Sequence, residues 1–279
     1  MANLTPVDDL LHWADNALVL GQRNAEWCGH GPILEEDLAL ANQSLDLVGQ
    51  ARLLYQLAAQ RIEDSPQESA RFAHLVGARE SGRITEDTLA YFREAHEFRN
   101  HTLLELPHSP PKAGTAGGDR DYATTIVRNF FYSAYMVLVW QAMQQSPDTD
   151  LANIASKSLK EARYHIEHAS DWVVRMGDGT AESHAKAQSA VNHLMRYTSA
   201  FWAADGPLAT ALQRMGAEMS SLHRHWDQLV DETLLEATLT RPEVAGEIPK
   251  GYAGVHSEHL GFLLAEMQVL ARAHPQASW

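Results

Sequence analysis

Apolar side chains recur along this chain at steps of three and four, and no stretch keeps the strict alternation of a half-buried strand. The pattern predicts an all-α protein. Thr5-Pro6 with Asp8 reads as an N-cap with proline in the first turn, and Val7, Leu10, Leu11, Ala14 and Leu18 share one face of the helix that follows. Gly29-His30-Gly31-Pro32 stops it. From Pro32 toward Gln60 the chain carries two adjacent stripes: Leu34, Leu38, Ala41, Leu45 and Val48, then Leu40, Ser44, Leu47, Ala51, Leu54 and Ala58. Two stripes predict one wide buried face. Ser65-Pro66-Gln67-Glu68 opens a shorter helix, and Thr85 opens another carrying Leu89, Phe92, Phe98 and Leu103.

The stretch 107–118 is rich in proline and glycine and reads as a loop. Ile126 to Met143 is apolar nearly all round, which marks a central buried helix. Asp150 caps the next helix, whose stripe of Leu151, Ala155, Ser158, Ala162, His165, Ala169, Trp172 and Met176 ends at Gly177-Asp178-Gly179. Further helices are expected over 181–204 and 212–239, then a surface loop over 240–256. A last helix from Ser257 carries Leu260, Leu264, Met267 and Leu270. The expected architecture is a single domain, 1–279, built as a bundle of long helices with shorter ones added.

Composition narrows the function classes. With 22 Lys and Arg against 36 Asp and Glu, the formal charge is −14, and no basic run exists to neutralise phosphates, which argues against a nucleic-acid partner. The longest apolar run, Phe130 to Trp140, is about half of the roughly 20 residues a membrane span needs. One cysteine, Cys28, permits no intrachain disulfide, and the N-terminus lacks the basic and apolar regions of a signal peptide, so the cytoplasm is the expected location. Cys28 follows Trp27 near a helix end and is expected to pack rather than to react.

Fifteen histidines and many carboxylates on long helices raise the question of a di-metal carboxylate site, which takes a Glu from each of two helices and a Glu-x-x-His from each of two others. The chain offers a near miss, Lys160-Glu161-Ala162-Arg163-Tyr164-His165, with alanine three residues before His165. One residue turns a helix by about 100°, so Glu161 falls toward the edge of a stripe that places Ala162 and His165 inside. The pairs His165/His168 and His256/His259 share i, i+3 spacing, but two ligands on one helix do not make a zinc site. No phosphate loop, nucleophile elbow or zinc-type Cys pair is present.

Four segments nonetheless form a recognisable set: Glu26-Trp27-Cys28-Gly29-His30, Asp37-Leu38-Ala39-Leu40-Ala41-Asn42, Leu45-Asp46-Leu47-Val48-Gly49-Gln50-Ala51-Arg52 and Lys160 to His165. With the tail, His256-Ser257-Glu258-His259-Leu260-Gly261 and Leu264 to Gln268, they resemble the C subunits of the bacterial ring-1,2-phenylacetyl-CoA epoxidases over nearly the whole chain. The resemblance implies a ferritin-like bundle and a cytoplasmic heteromer that epoxidises phenylacetyl-CoA with O2. Electrons would come from NADPH through a reductase, and a di-iron pair would sit in a sister catalytic subunit. There the irons are held by Asp-Glu-x-Gly-His and Glu-Glu-x-x-His. Matched through Asp46 and Gly49, the first motif puts Leu47 at its glutamate and Gln50 at its histidine. Matched through Lys160 and Glu161, the second puts Ala162 at its glutamate and keeps only His165.

The resemblance therefore implies a chain with no catalytic residue, metal or cofactor of its own, which packs against the catalytic subunit and supports it. His256, Glu258, His259 and Glu266 mark the expected partner-contact region. The stretch 63–83 has no counterpart in the family pattern and is expected to be an inserted helix. Two rivals are a self-assembling ferritin-like scaffold and a di-metal enzyme using Glu36, Glu94, Glu97, Glu161 and His165.

Overall fold

In the computed structural model, residues 4–76, 82–109, 120–244 and 246–277 are described. Among them the secondary structure is helical, without strands, as an all-α ferritin-like fold requires. In chain order the helices are α1 (Val7–Ala25), α2 (Leu34–Glu63), α3 (Pro66–Arg71), α4 (Ala73–Val76), α5 (Glu86–Tyr91), α6 (Thr102–Glu105), α7 (Tyr122–Met143), α8 (Thr149–Gly177), α9 (Ala181–Leu194), α10 (Pro207–Met215), α11 (Met219–Glu236) and α12 (Glu258–Ala273). No helix among the described residues is long and apolar enough to cross a membrane. The chain divides into two compact units, Met1–Leu106 with Lys250–Trp279, and Pro107–Pro249.

The first unit is built on the α1–α2 hairpin. Gly21 of α1 lies so close to α2 that a Cβ there would meet Leu47 at 3.3 Å and the Ser44 carbonyl at 3.4 Å. The turn between the helices is fixed by Asp37, whose Oδ2 accepts from the backbone N–H groups of Gly29 (2.8 Å) and Gly31 (3.0 Å). Gly29 holds φ at +79°, a conformation open to glycine, so the Gly-His-Gly segment is a turn by construction. Cys28, expected to pack, is exposed at this turn, while Trp27 fills the core.

Several expected boundaries move. Pro6 stands at the cap of α1, one residue later than expected. The wide face of α2 is half right: Leu40, Leu47, Ala51, Leu54 and Ala58 are buried, but Leu34, Leu38 and Leu45 expose 70, 55 and 71 % of their surface. One stripe faces α1, and the described residues leave the other open. Ser65 caps α3 and Thr85 caps α5 as their sequences predict. The helix opened by Thr85, however, ends at Tyr91 and gives way to a 3-10 turn at Ala95–Glu97 and the single turn of α6. The expected helix over 63–83 is, as far as residue 76, two short helices, α3 and α4; residues 77–81 lie outside the described residues, as do 110–119 of the expected loop.

The second unit is built on α7 and α8, joined by five residues and antiparallel, with Tyr122 at the start of α7 edge-on to Trp172 near the end of α8 at 5.4 Å. α7 is buried from Ala123 to Met136 without interruption, as its apolar circumference predicts. Asp148, not Asp150, takes the cap position of α8. The helices expected at 181–204 and 212–239 both break: the first tightens to 3-10 geometry from Met195. The second divides into α10 and α11 at Gly216, whose φ of +66° ends a helix with little strain. The described residues of the stretch 240–256 are irregular apart from a 3-10 turn at Gly251–Ala253, and Ser257 caps α12 by accepting from His259 N at 3.3 Å.

Candidate functional site

Leu47 and Gln50 stand one turn apart on the α1-facing side of α2, exposing 3 and 4 % of their surface. Ala162 and His165 stand one turn apart on the buried side of α8, at 4 and 5 %. Each pair thus occupies the inward register that a ligand pair on a helix would need. The chemistry has changed: among the four positions the donors are one imidazole and one neutral amide, whereas two irons require bridging carboxylates. Among the described residues no group of three His, Cys, Asp or Glu converges as metal ligands do. These residues do not fit a di-iron centre.

The alternative set is occupied elsewhere. Glu94 and Glu97 close the 3-10 turn on themselves, with Glu97 Oε2 accepting from Glu94 N at 2.7 Å. Glu97 Oε1 meets His74 Nε2 at 2.7 Å, and Glu94 pairs with Arg272 at 2.9 Å. Glu36 is buried in the first turn of α2, and Glu161 is half-buried on α8. Of the tail residues, His256 is an anchor: its ring bridges Glu105 Oε2 (2.8 Å) and the Phe98 carbonyl (2.9 Å). Glu258 and Glu266 are exposed on α12, and His259 is half-buried.

Sequence reasoning missed a buried polar framework around α1. Asp15, with no exposed surface, receives the Arg93 guanidinium, the Tyr55 hydroxyl (2.5 Å) and the Arg99 N–H (2.7 Å). Burial works against the charge on Arg93, but the Asp15 carboxylate outweighs it and holds the guanidinium more firmly protonated than usual. Burial and the same carboxylate push the Tyr55 hydroxyl well above its ordinary range. His12 donates from Nδ1 to the Arg99 carbonyl at 2.6 Å, which leaves Nε2 to accept from Asn16 at 3.1 Å. Burial lowers His12 to about 4 and His101, beside it at 4.7 Å, well below 6.5, so both rings are neutral at neutral pH.

Asn16 Oδ1 accepts from His101 N at 2.7 Å, and Arg23 donates to the Glu105 carbonyl at 2.7 and 3.2 Å. These bonds have one purpose. Residues 92–106 run as broken turns that leave backbone groups without helical partners, and buried backbone groups must be paired. The polar side chains of α1 pair them. The Glu105 carboxylate then accepts from Asn100 (2.9 Å), His256 and the Ser257 N–H (2.5 Å), tying the start of α12 to the same segment.

The family model described as Phenylacetic acid catabolic protein matches residues 2–279. The chain belongs to this family. Within it, the chain is 38% identical over 270 residues to the C subunit of the 1,2-phenylacetyl-CoA epoxidase of Escherichia coli (strain K12), covering 96% of this chain and 97% of that protein. The likeness bears out the resemblance carried by the α1–α2 turn, the α2 and α8 segments and the tail. In this chain the turn motif has a structural account, since Asp37 and Gly29 build the hairpin and Glu26 holds Arg23 at 2.7 Å.

Proposed function

We propose that this chain is a non-catalytic member of the multicomponent di-iron monooxygenase that epoxidises phenylacetyl-CoA in aerobic phenylacetate catabolism. It packs as one ferritin-like domain against the iron-bearing catalytic subunit and supports it in the cytoplasm, while O2 activation and electron delivery from NADPH through a reductase belong to other subunits. The near full-length likeness to an epoxidase C subunit supports the assignment to that system. The observation that carries the non-catalytic part is the burial of Leu47 and Ala162 at the inward positions where the resemblance puts glutamates. Carboxylates buried together without a cation are costly, whereas leucine and alanine let a helical core close dry.

The outward face of α12 is part of this proposal. Glu258 and Glu266 are exposed there together with Phe262 (68 %) and Val269 (62 %), an apolar strip with a charged rim of the kind subunit interfaces use. His256 serves it indirectly, by holding the start of α12 on Glu105. The deciding experiment measures the iron content of the chain expressed alone in iron-supplemented medium and purified without chelator. Essentially no iron is expected; about two irons per chain, the content of a ferritin-like carboxylate site, would overturn the reading.

A further inference from the structure

His256 and His12 differ in what their two ring nitrogens face. Nδ1 of His256 lies 2.8 Å from Glu105 Oε2, and Nε2 lies 2.9 Å from the Phe98 carbonyl oxygen, with only 6 % of the side chain exposed. Both oxygens are acceptors. A neutral imidazole has one N–H and one lone pair, so either tautomer would set a lone pair against an oxygen at bonding distance. His12 instead meets one acceptor, the Arg99 carbonyl, and one donor, the Asn16 amide, which suits a neutral ring. The arrangement at His256 uses both ring protons. The Glu105 carboxylate, with no exposed surface, also accepts from Asn100 at 2.9 Å and from the Ser257 N–H at 2.5 Å, so it stands as the anion of a buried ion pair.

The other charges around this corner leave Glu105 as the partner of that cation. On α1, Arg23 is paired with Glu26 at 2.7 Å and donates to the Glu105 and His259 carbonyls. In the crossing segment, Arg99 donates to the His96 and Phe98 carbonyls and works against a second positive charge close by. His12 and His101 are neutral, and α12 itself adds the half-buried His259 and the exposed Glu258.

Helix α12 is fastened at two places of different kind. Its first turn hangs on the His256–Glu105 pair and the Ser257 N–H. Its last turns hold by groups that keep their donors at any working pH: Gln268 donates to the Arg93 carbonyl at 3.1 Å, and Arg272 to the Tyr91, Phe92 and Arg93 carbonyls at 3.2, 3.2 and 2.9 Å. Between them the buried apolar side chains of α12 are Leu260, Leu263 and Leu264. So short an apolar face leaves the first turns dependent on the polar fastening.

From this geometry we infer that the His256–Glu105 pair is a pH-sensitive latch, which holds the first two turns of α12 against residues 98–105 while the ring carries both protons and frees them when it loses one. The last turns stay attached in both states. The latched form uses a proton that the freed form does not need, so the latch is made on the acid side and opens as the pH rises. This is opposite in sign to His12 and His101, whose neutral burial makes acid the destabilising direction. The latch stands whether or not the outward face of α12 meets a partner.

The test is hydrogen–deuterium exchange of the full chain at a series of pH values from neutral to alkaline, read as protection factors so that the intrinsic pH dependence of exchange drops out. Residues 256–264 of the wild type are expected to lose protection roughly tenfold across the series, while 268–273 hold theirs. In His256→Gln the same residues are expected to be poorly protected at every pH, without the dependence. Because a variant at a buried pair can loosen more than the latch, the ring is also read directly in the wild type by long-range proton–nitrogen NMR with labelled histidine, the His256 signal being the one that His256→Gln lacks. Two ring N–H groups are expected at neutral pH, against one each for His12 and His101. A singly protonated His256 at neutral pH overturns the proposal. So does protection of 256–264 that ignores pH, or a pH dependence that survives in His256→Gln.

Discussion

The helices α1 and α7 are both buried on nearly every side, yet they are made of opposite material. From Phe130 onward α7 is apolar and aromatic, and its neighbours answer in kind. Tyr135 stacks on Phe201 at 4.4 Å, and Trp226 packs on Phe131 at 6.0 Å while donating its indole N–H to the Phe131 carbonyl at 3.1 Å. Over its length α1 buries Asp9, His12, Asp15, Asn16, Arg23 and Asn24. The difference lies in what each must cover. From Phe130 onward α7 lies among helical segments whose backbones are already paired, so shape and apolar area suffice, whereas its first two turns bury Thr124, Thr125, Arg128 and Asn129, with Thr125 and Arg128 at 2.7 and 3.3 Å from His108 Nδ1. α1 lies under residues 92–106, whose broken turns present bare N–H and C=O groups, and only polar side chains can meet those. A buried helix can be written in either alphabet, according to the backbone that crosses it.

The contrast is sharpest at Arg93. Substituting methionine keeps the length but leaves Asp15 charged and buried among Tyr55 and the Arg99 N–H, which is expected to cost about 3–5 kcal/mol. The urea midpoint of Arg93→Met, set against that of the wild type, reads it. Pairing it with Asp15→Leu is expected to recover part of the loss, because a buried ion pair replaced whole by apolar groups is often close to neutral. A single variant as stable as wild type would mean that the framework around α1 is ornamental.

Acid probes the same framework without mutation. His12 titrates at about 4 in the folded chain and near 6.5 unfolded, so between those values the unfolded state takes up a proton that the folded state refuses. Its contribution is fully present above pH 6.5 and is lost as the pH falls toward 4, by about 3 kcal/mol at 1.36 kcal/mol per unit. His101, also lowered by burial, adds in the same direction. Urea unfolding at a series of pH values is expected to show this decline, and His12→Gln to make it shallower. An equal slope in that variant would place the acid sensitivity elsewhere.

These two helices also show what the chain discloses about itself. The burial of α7 is legible because an apolar circumference has no other use in water, and the caps Ser65, Thr85 and Ser257 are legible because their signals are local. The inward register of Leu47, Gln50, Ala162 and His165 follows from periodicity together with the family resemblance. The framework around α1 is hidden for the opposite reason. Asp15, His12 and Arg23 look like surface residues until their partners within residues 92–106 are known, and the bonds to Arg93, Arg99 and Glu105 span 78 to 87 residues. The exposed stripe of α2 misleads in the other direction, because periodicity tells that a face is apolar and not which chain covers it.

A finer contrast comes from one swap in each helix that keeps the number of side-chain heavy atoms. Met136, buried at 3 % in α7, packs without a polar obligation, so Met136→Leu is expected to cost less than about 1.5 kcal/mol. Asn16→Leu keeps the branching and the number of side-chain heavy atoms. It removes the acceptor of the His101 N–H and the donor to His12 Nε2, leaving buried polar groups unpaired at about 1–3 kcal/mol each. Denaturant midpoints of the two variants are therefore expected to separate, with Asn16→Leu the less stable. Equal midpoints would mean that the backbone of residues 92–106 finds other partners when α1 withdraws its own, and that the polar material of α1 is tolerated rather than required.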